Sequence, residues 1–507
     1  MDQDRDQIDL EVERMVRIED VVRDRWSDED PILWWDGTWW KAQEIFDLAS
    51  RMEASLARAG FLRGYRLAVL MPNCPALLAL SLACWRLGGT VASLNPASGA
   101  EGLLAALKHG EPSTVVVGES IAEKLAPALD LAEVGWSSIS PEGEGEPFRC
   151  ESCAPSSDDI ALLFATSGTT GRPKAVPLTH NNVISDVQQS LDKVRMINEE
   201  DVFLNVLPNF HTLGFVVSGI LPLITGCRQA IMPSFMPPER VLDCIDLSEV
   251  TVMVGVPTML RFLVAGASKA GRRFSSIRLI ISGGDRFPPE LDRRVEDVFG
   301  VPVLEGYGLT ECSPVLAVNP DYSSRKLGTA GPILDQVEWQ VRSEDGVVLD
   351  VGEEGILWVR GPSVVTEYFG SLPGTGDRFE DGWFNTGDVV VVDGSGYVSI
   401  MDRASDVIIV GGFNVYPQEV ENVLVSFPGV KEAAVVGRSN SMSGQVPHGY
   451  VIAEGEDISS SDLIAYCKEK LAHYKVPRKI HFVQNLPRNS LGKVLRRVLR
   501  DELGGKR

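Results

Sequence analysis

The feature that most constrains the fold of this chain is the alternation of helical and strand-like patterns along its first half. Helical spacing over residues 41–59 and 75–87 alternates with short apolar runs at 66–71 and 114–117. Parallel strands need a long crossover connection, which is usually a helix that covers one face of the sheet. The pattern therefore predicts an α/β fold in which helices cover parallel sheets.

The second half of the chain predicts two further units. From about residue 328 to residue 401, short strand patterns are separated by Gly and Asp turns, which is typical of a small β-rich subdomain. After residue 402, strands and helices alternate as expected for a compact α+β domain. The predicted domains are residues 1–401 and 402–507, and a chain of 507 residues is long enough for several cores.

Composition limits the classes of partner and compartment. The chain has 48 Lys plus Arg against 70 Asp plus Glu, and its net charge of −22 disfavours nucleic-acid binding. Its eight cysteines are scattered as in a reducing compartment, and the CxxC pair Cys150 and Cys153 lacks a second pair that would complete a zinc site. The N-terminus is acidic, whereas a signal peptide is basic and then apolar. We therefore expect a cytoplasmic protein that acts on small molecules.

Residues 202–227 form the longest stretch with almost no charge, but prolines and glycines interrupt it. A membrane-spanning helix needs about 20 mostly apolar residues in a row. We expect a buried strand and helix in this region, and no integral membrane segment.

The strongest single motif is the run ATSGTTGRPK at residues 165–174, which directly follows an apolar run. Small residues let backbone N–H groups approach an anion, hydroxyls add hydrogen-bond donors, and the lysine adds a positive charge. The spacing is not that of a GxxxxGK[ST] loop. The predicted phosphate-binding residues are Thr166, Ser167, Gly168, Thr169, Thr170, Gly171 and Lys174. A ligand is also expected at the strand end marked by Gly283 and Gly284, because ligands sit at the carboxyl ends of parallel strands.

Four more segments follow this loop in order: Tyr307-Gly308-Leu309-Thr310-Glu311, Thr386-Gly387-Asp388, Asp402-Arg403, and Pro487-Arg488-Asn489 leading to Gly492-Lys493. With these segments the chain resembles the adenylate-forming superfamily, which includes acyl-CoA synthetases, luciferases and peptide-synthetase adenylation domains. The resemblance extends over nearly the whole chain. It implies a large N-terminal domain of two sheet-bearing α/β subdomains and a small β-barrel, followed by a mobile α+β C-terminal domain.

The resemblance also implies a reaction in two steps. A carboxylate attacks the α-phosphate of ATP to give an acyl adenylate and pyrophosphate, and a thiol such as that of CoA then displaces AMP. The implied roles are Mg²⁺ binding by Glu311, α-phosphate contact by Thr310, adenine stacking by Tyr307, ribose contacts by Asp388 and Arg403, and charge stabilisation during adenylation by Lys493. Gly283 and Gly284 are likewise expected to bind the nucleotide. A hard carboxylate suits Mg²⁺, and a lysine suits the negative charge that develops in the first step.

The predictions for the second step and for the acid pocket rest on fewer residues. Gly411 and Gly412 are expected to line the CoA tunnel, since glycines permit close approach of pantetheine. The family's hinge position falls on Ser405, where Lys or Asp is usual. His211 and Phe210 resemble the family's segment beside the acyl carboxylate. Gly308 is expected to leave the acid pocket open, unless it is a glycine only to allow a positive φ. The apolar side chains of Phe210, Leu213, Phe215 and Val216 are expected to line a deeper acyl tunnel.

The acid itself is predicted to be a medium- or long-chain fatty acid. An open pocket would bury a long chain, and each buried CH₂ contributes about 0.8 kcal/mol to the binding free energy. Four alternatives stay open. In the first, the acceptor is an acyl carrier protein instead of CoA, because residues 304–315 resemble the synthetase half of acyltransferase/acyl-carrier-protein synthetase fusions. In the second, the reaction stops at the acyl adenylate, and in the third, the acid is aromatic. In the fourth, the chain is a nucleotide-binding regulator without catalytic activity. The presence of both Glu311 and Lys493 argues against the last.

Overall fold

The fold is given by a computed structural model, which describes residues 16–157, 159–167, 173–370, 378–404, 406–410, 413–440, 444–454, 458–488 and 492–501. Its first part alternates helices and strands: α1 (Ile18–Arg25), β1 (Pro31–Trp35), β2 (Thr38–Lys41), α2 (Ala42–Arg58), β3 (Arg66–Leu70), α3 (Pro75–Arg86), β4 (Thr90–Ser93), α4 (Gly99–Gly110), β5 (Thr114–Gly118), α5 (Glu119–Leu131) and β6 (Trp136–Ile139). The alternation predicted from the sequence is therefore present.

The middle of the chain continues this alternation and carries one unusual helix. Its elements are β7 (Ile160–Ser167), β8 (Pro173–Thr179), α6 (His180–Lys193), β9 (Val202–Asn205), a π-helix (Leu213–Ile220), α7 (Leu221–Thr225), β10 (Arg228–Ile231), α8 (Pro238–Ser248), β11 (Val252–Gly255), α9 (Pro257–Ala270), β12 (Leu279–Ser282), α10 (Pro289–Phe299), β13 (Val303–Gly308), a 3₁₀ turn (Thr310–Cys312) and β14 (Val315–Val318). The weakly charged stretch is thus a buried strand and two short helices, as predicted.

The remaining elements form the two units expected in the second half. The β-rich region contains β15 (Glu338–Arg342), β16 (Glu354–Arg360), β17 (Phe379–Glu380), β18 (Trp383–Val392) and β19 (Val398–Arg403). The last part contains β20 (Ile408–Val410), β21 (Phe413–Val415), α11 (Pro417–Val425), β22 (Val430–Asn440), β23 (Gly444–Ala453), α12 (Ser460–Lys470), a 3₁₀ turn (His473–Lys475), β24 (Lys479–Phe482) and α13 (Arg496–Asp501).

Four sheets organise these elements. Six strands pair in the order β6-β5-β3-β4-β7-β8, and eight pair in the order β14-β13-β12-β11-β9-β10-β1-β2. Both sheets are parallel at their centres, and their antiparallel pairs are β7 with β8, β13 with β14 and β1 with β2. Strand β3 is buried on both faces, which is why it is a continuous apolar run beyond Arg66.

The other two sheets are smaller. Strands β15, β16, β18 and β17 pair in that order with β19 on β18, and β21, β20, β23 and β22 pair in that order with β24 on β23. The mixed α/β and α+β fold class predicted from the sequence is confirmed. Among the described residues, no helix is both long enough and apolar enough to cross a bilayer.

The buried apolar clusters change near the predicted domain boundary. The largest cluster includes residues from Ile18 to Val398, whereas the next begins at Ile408 and ends at Ile480. Separate cores are the physical basis for domains that move as units. The boundary at 401/402 itself stays a prediction.

Helix α1 carries a buried carboxylic acid. Glu19 is buried, its Oε2 lies 3.9 Å from His180 Nδ1, and that nitrogen accepts the backbone N–H of Ile18 at 3.1 Å. Burial raises the pKa of Glu19 to about 7. Because its usual value is 4.5, the folded chain holds a proton on Glu19 at pH values where the unfolded chain has lost it. Stability is therefore expected to fall as pH rises from about 4.5 to about 7.

We predict that Glu19→Gln removes this pH dependence. The variant should melt close to the wild type at pH 5 and a few degrees higher at pH 8, since the lost penalty is on the order of 2–3 kcal/mol. The measurement is the melting temperature of both proteins from pH 4.5 to 8.5. The control is Asp24→Asn, an exposed acid on the same helix, and an equal shift in both variants would contradict the assignment.

Candidate active site

A cavity of about 350 Å³ lies where the carboxyl ends of β11, β12 and β13 face the β7–β8 hairpin. This is the edge at which parallel sheets bind ligands, because strand ends and helix starts converge there. One part of its lining is polar or charged: Lys174, Tyr307, Thr310, Glu311, Tyr368, Arg378 and Arg403. Another part is largely apolar, with Val194, Ile197, Phe203, Leu213, Val217, Leu221, Val254, Ile281, Val315 and Val318.

Gly283 and Gly284, which follow β12, line this cavity. Their role in nucleotide binding stays a prediction. The backbone N–H of Gly283 donates to the carbonyl of Gly255 at 3.1 Å, which continues the register of the parallel pair β11–β12. Gly284 has φ of +79°, a conformation that favours glycine. The chain thus turns away from the sheet without placing a side chain over its edge.

Asp388 joins two of the predicted nucleotide residues. Its Oδ2 accepts the hydroxyl of Tyr307 at 2.5 Å, and its Oδ1 lies 2.7 Å from Arg403 Nε. Asp388 and Arg403 are paired in register on β18 and β19, while Tyr307 comes from β13. Burial and the Asp388 carboxylate hold the pKa of Tyr307 well above its usual value, so the phenol stays protonated and donates. The carboxylate keeps lone pairs for additional donors, such as ribose hydroxyls.

Glu311 is the centre of a second polar cluster. It is buried, its Oε1 accepts the hydroxyl of Tyr368 at 2.9 Å, and the same oxygen lies 3.5 Å from Arg378 Nη1. Lys174 Nζ lies 4.5 Å from the centre of the Tyr368 ring. A hydroxyl and a guanidinium therefore converge on one carboxylate, and the Lys174 ammonium lies over the ring of the same tyrosine.

The donor set around Glu311 fits Mg²⁺ bound together with a nucleotide. Among the described residues, no group of three or more His, Cys, Asp or Glu side chains is arranged to hold a metal ion by itself. Mg²⁺ commonly takes one or two carboxylates and completes its shell with phosphates and water. Glu311 would hold the ion through a carboxylate oxygen, and the ion would neutralise phosphate charge. Thr310 lies beside it, with its Oγ1 3.4 Å from Thr212 Oγ1.

Lys493 reaches this region from the last part of the chain. It lines a smaller cavity of about 150 Å³ with Asp285, Asp388 and Arg403, and this cavity shares Tyr307 and Arg403 with the main one. Burial and the charge of Arg403 lower the pKa of Lys493, while Asp285 and Asp388 act in the opposite direction. A cation is thus held next to the nucleotide residues.

The segment around Lys493 is built to approach the N-terminal part. Arg488 Nη1 donates to the carbonyl of Gly492 at 2.6 Å, and Leu495 N–H donates to the carbonyl of Pro487 at 2.8 Å, which closes the turn. Gly492 has φ of +83°, and a Cβ there would lie 2.8 Å from Thr258 Oγ1 of α9. Glycine is required here both by conformation and by close approach.

Several predicted residues lie outside the described part of the chain: Gly168, Thr169, Thr170 and Gly171 of the phosphate loop, Ser405 of the hinge, and Gly411 and Gly412 of the CoA tunnel. The backbone of Thr166 and Ser167 ends β7, and Thr166 is paired with Lys174 across the β7–β8 hairpin. The phosphate loop therefore connects two antiparallel strands. The roles of these residues stay predictions.

His211 lines the cavity as predicted, but Phe210 is not among the residues that line it. Phe210 instead packs on the His211 ring, with 5.0 Å between ring centres. Burial lowers the pKa of His211 to about 4. The imidazole is therefore neutral at pH 7 and offers hydrogen bonds rather than a positive charge to an acid.

Gly308 lines the cavity, but the reason for glycine differs from both readings of the sequence. Its φ is not positive. A Cβ at this position would lie 1.8 Å from the carbonyl oxygen of Pro314, which is held in place by the N–H of Leu309 at 3.0 Å. Any side chain would displace β14, so replacement by a bulky residue does not simply fill the pocket.

The π-helix decides which of its residues face the cavity. Leu213, Val217 and Leu221 recur every four positions and line it. Phe215 and Val216 are fully buried in the core instead, and Phe215 packs edge-to-face on Phe164. The expectation that Phe215 and Val216 line an acyl tunnel is therefore not met. π-Helical turns are rare and concentrate at functional sites.

Sequence reasoning missed Tyr368 and Arg378. Both contact Glu311, yet they lie 57 and 67 residues further along the chain. Arg378 is fixed by a 2.8 Å hydrogen bond from its Nε to the carbonyl of Asn385 and by stacking on Phe384. Neither residue lies in a recognisable motif, so only the folded β-rich region brings them to the site.

Together, a charged and polar cavity wall, a neutral histidine and an adjoining apolar chamber are suited to an enzyme that activates an organic acid with a nucleotide. A family model described as "AMP-binding enzyme" matches residues 21–369, and one described as "AMP-binding enzyme C-terminal domain" matches residues 419–493. The chain belongs to this adenylate-forming family, as the sequence motifs indicated.

Similar proteins agree with this assignment. A feruloyl-CoA synthase from an Amycolatopsis species is 34% identical over 490 residues, which cover 96% of this chain and 98% of that protein. The ATP-bound structure of MatB from Rhodopseudomonas palustris superposes with a TM-score of 0.86 at 31% identity, covering 96% of this chain and 99% of MatB. The o-succinylbenzoate–CoA synthetase MenE from Bacillus subtilis, solved with ATP and magnesium, gives 0.82 at 32% identity, covering 96% and 99%.

These findings confirm the coarser predictions: an AMP-forming acid–CoA ligase, with ATP and CoA as substrates and Mg²⁺ as the accompanying ion. The finer prediction of a fatty acid is not supported by the names of the feruloyl-CoA synthase and of MenE, which refer to aromatic acids.

We predict that Lys493→Ala blocks formation of the acyl adenylate but spares the second step. Its positive charge is needed where negative charge concentrates during attack on the α-phosphate. Pyrophosphate release should fall at least about a hundredfold, whereas thioester formation from supplied acyl adenylate should stay within a few fold of wild type. The control is Lys479→Ala, an exposed lysine in the same domain. Equal loss of both steps would assign Lys493 a structural role instead.

We predict that Glu311→Gln weakens the response to magnesium. The amide keeps the volume and can still accept the Tyr368 hydroxyl, but it removes the charge that favours a hard cation. The Mg²⁺ concentration for half-maximal pyrophosphate release should rise on the order of 10- to 100-fold. Tyr368→Phe, which removes only the hydrogen bond, is the matched control and should change it less. An unaltered magnesium titration in Glu311→Gln would exclude this metal site.

Proposed function

We propose that this chain joins an aromatic monocarboxylic acid to CoA, with ATP converted to AMP and pyrophosphate. The observation that carries the proposal is the lining of the acid side of the cavity, which is neutral, apolar and partly made of glycine backbone. The feruloyl-CoA synthase relative supports it, because ferulic acid is an aromatic acid with one carboxylate.

The charge distribution favours an acid with a single carboxylate. The charged residues that line the main cavity are Lys174, Glu311, Arg378 and Arg403, and the last three belong to the two carboxylate clusters already described. The apolar side supplies no cation among the described residues. A second carboxylate placed there would be buried without a partner, which is strongly unfavourable. The acid thus differs in charge from 2-succinylbenzoate.

The glycine wall favours a planar group over a flexible chain. A Cβ at Gly283 would lie 3.5 Å from the carbonyl oxygen of Gly306 and 3.9 Å from Leu213 Cδ2, which is ordinary contact. The surrounding atoms therefore tolerate a Cβ at position 283, and glycine keeps a slot open between Leu213 and Gly306. A flat ring fills such a slot without loss of rotational freedom, whereas an alkyl chain must be ordered at a cost in entropy.

The residues around the slot suit the first step. The acid's carboxylate oxygen attacks the α-phosphorus, and the bond from that phosphorus to the pyrophosphate oxygen breaks. His211, neutral at pH 7, hydrogen bonds to the acid without neutralising the nucleophile. Lys493 stabilises the charge that develops between carboxylate and phosphate, and Thr310 holds the α-phosphate. Glu311 would hold Mg²⁺.

The second step and its acceptor belong to the same proposal. After adenylation, residues 402–507 rotate about Ser405, Lys493 leaves the site, and the CoA thiol enters beside Gly411 and Gly412. CoA is the proposed acceptor because the feruloyl-CoA synthase and MenE relatives are named as a CoA synthase and a CoA synthetase. An acyl carrier protein is the alternative acceptor. A medium- or long-chain fatty acid is the second candidate acid, favoured by the apolar side chains of the chamber.

We predict that kcat/KM is at least about tenfold higher for arylpropenoic acids than for acetic, octanoic or hexadecanoic acid, and lowest for 2-succinylbenzoate because of its second charge. The measurement is pyrophosphate release over this panel, followed by thioester detection with CoA or carrier protein. Lys493→Ala gives the background rate.

A substitution at Gly283 tests directly whether the slot binds a planar ring. Gly283→Val should narrow the slot and reduce activity with arylpropenoic acids more than with octanoic acid, without lowering the melting temperature. Preference of the wild type for octanoic or hexadecanoic acid would favour the fatty-acid candidate and refute the aromatic one.

A further inference from the structure

A buried row of side-chain amides connects the centre of the eight-stranded sheet to the helix that lines the acid chamber, the apolar side of the main cavity. Gln229, on β10, is fully buried, and its Oε1 accepts Asn205 Nδ2 of β9 at 2.8 Å. Its Nε2 donates to the carbonyl of Gly219, inside the π-helix, at 3.1 Å. A glutamine inside a sheet is unusual, because its amide must find partners there. Here both ends of the amide are bonded, and one partner belongs to the helix of the chamber wall.

The same row holds the start of the π-helix. Asn209 donates through its side-chain amide to the carbonyl of Gly214 at 3.2 Å and to Asn205 Oδ1 at 3.0 Å. Its backbone N–H donates to Asn73 Oδ1 at 2.9 Å, and all three asparagines are buried. The first and the last turn of the π-helix are therefore both bonded to one buried network, which also holds the backbone two residues before His211.

Two glycines let the π-helix lie close against this network. A Cβ at Gly214 would lie 2.4 Å from a carbonyl oxygen of the preceding loop, and a Cβ at Gly219 would lie 3.4 Å from Asn205 Nδ2. The glycines thus face the amides, whereas Leu213 and Val217 line the chamber. Contacts on the glycine side therefore fix which side chains the helix presents to the acid.

The winding of this helix needs support from its surroundings. π-Helical turns are rare and occur mostly as single turns inside α-helices. This one extends over eight residues and ends where the Leu221 N–H donates to the carbonyl of Val216, five residues earlier. Winding at 3.6 residues per turn would rotate Val217 and Leu221 about the helix axis relative to Leu213. The shape of the chamber would change with it.

We propose that Gln229 is a positioning residue for the acid. Its bond to Gly219 holds the π-helical winding that places Val217 on the chamber side, and this winding sets the size of acid that fits. Gln229 itself is not among the described residues that line the cavity. The inference rests on the proposed function only in placing the acid in this chamber, and it holds for an aromatic or an aliphatic acid.

The first test is a double-mutant cycle between Gln229→Met, which removes the hydrogen bonds at similar length, and Val217→Ala. The ratio of kcat/KM is measured by pyrophosphate release within two pairs of acids: 3-phenylpropenoic acid with its 4-ethylphenyl analogue, and octanoic with decanoic acid. In the wild-type background, Val217→Ala enlarges the chamber and should shift the ratio toward the larger acid about tenfold. In the Gln229→Met background the shift should be less than about twofold, because position 217 has turned away.

The outcomes of the cycle separate this inference from the proposed function. If only the aliphatic pair is converted, the aromatic proposal fails while the cycle still tests Gln229. If Val217→Ala leaves the ratio unchanged in the otherwise wild-type protein, the acid does not contact this wall and the inference is overturned. An equal shift in both backgrounds also overturns it.

The second test is the crystal structure of Gln229→Met, which needs no substrate. We expect residues 213–220 to adopt α-helical winding, with Val217 turned from the chamber. A retained π-helix overturns the inference.

Gln189→Met is the matched control. Gln189 is also buried, its Nε2 donates to the carbonyl of Ser185 at 3.2 Å, and its Oε1 accepts the N–H of Gln336 at 3.1 Å. It is not among the described residues that line the cavity. This variant should lose thermal stability but keep the wild-type ratio and the wild-type effect of Val217→Ala. The same behaviour in Gln229→Met would make Gln229 merely structural.

Gln229→Glu keeps the inference testable if Gln229→Met does not fold. Burial raises the pKa of a carboxyl group, so at pH 6 the new group is protonated, donates to Gly219 and still accepts from Asn205. We expect the wild-type ratio at pH 6 and an altered ratio at pH 9, where ionisation removes the donor, with the KM for ATP following the wild type throughout. A ratio that does not change with pH overturns the role of the bond to Gly219.

Discussion

The interaction on which the site depends is the pair of bonds to the Asp388 carboxylate. Tyr307 reaches it from the end of the eight-stranded sheet, and Arg403 reaches it from the last strand of the β-rich region. These contacts join two separately built sheets just before the chain enters its C-terminal part. Since Asp388 is buried, losing either partner would leave a poorly compensated charge in a low-dielectric region. The nucleotide residues and the junction of the domains are therefore stabilised by the same bonds.

Among the described residues, charged side chains are confined to one side of the active-site cavity, so the expected phosphate and metal positions are separated from the apolar side that is expected to hold the acid. Glu311 is surrounded by Tyr368, Arg378 and the nearby Lys174, where phosphate groups and a metal ion are expected. The acid side is apolar and neutral, because His211 is held uncharged by burial. Electrostatic interactions are stronger where water is excluded, so fixed donors near the phosphates act on the developing charge without reorganising.

Gly308 shows how a correct residue can be predicted for the wrong reason. The motif placed it at the acid pocket, and it does line the cavity. The sequence offered open space or a positive φ as the cause, but the cause is the carbonyl of Pro314 across the β13–β14 pair. Phe215 and Val216 failed for a related reason: the π-helix turns them into the core and leaves Leu213 and Val217 on the cavity side. The sequence pattern shows neither how closely two strands approach nor whether a helix is wound as an α-helix or a π-helix.

The sequence by itself determined the alternating α/β architecture. Its motifs also pointed to six residues that line the two cavities: Lys174, Tyr307, Glu311, Asp388, Arg403 and Lys493. These follow from local periodicity and from motifs whose residues are adjacent in the chain. Only the tertiary structure decided that Tyr368 and Arg378 meet Glu311 and that His211 is neutral. The physical reason is that contacts, burial and pKa shifts depend on groups brought together from distant segments, whereas propensity and spacing act over a few residues.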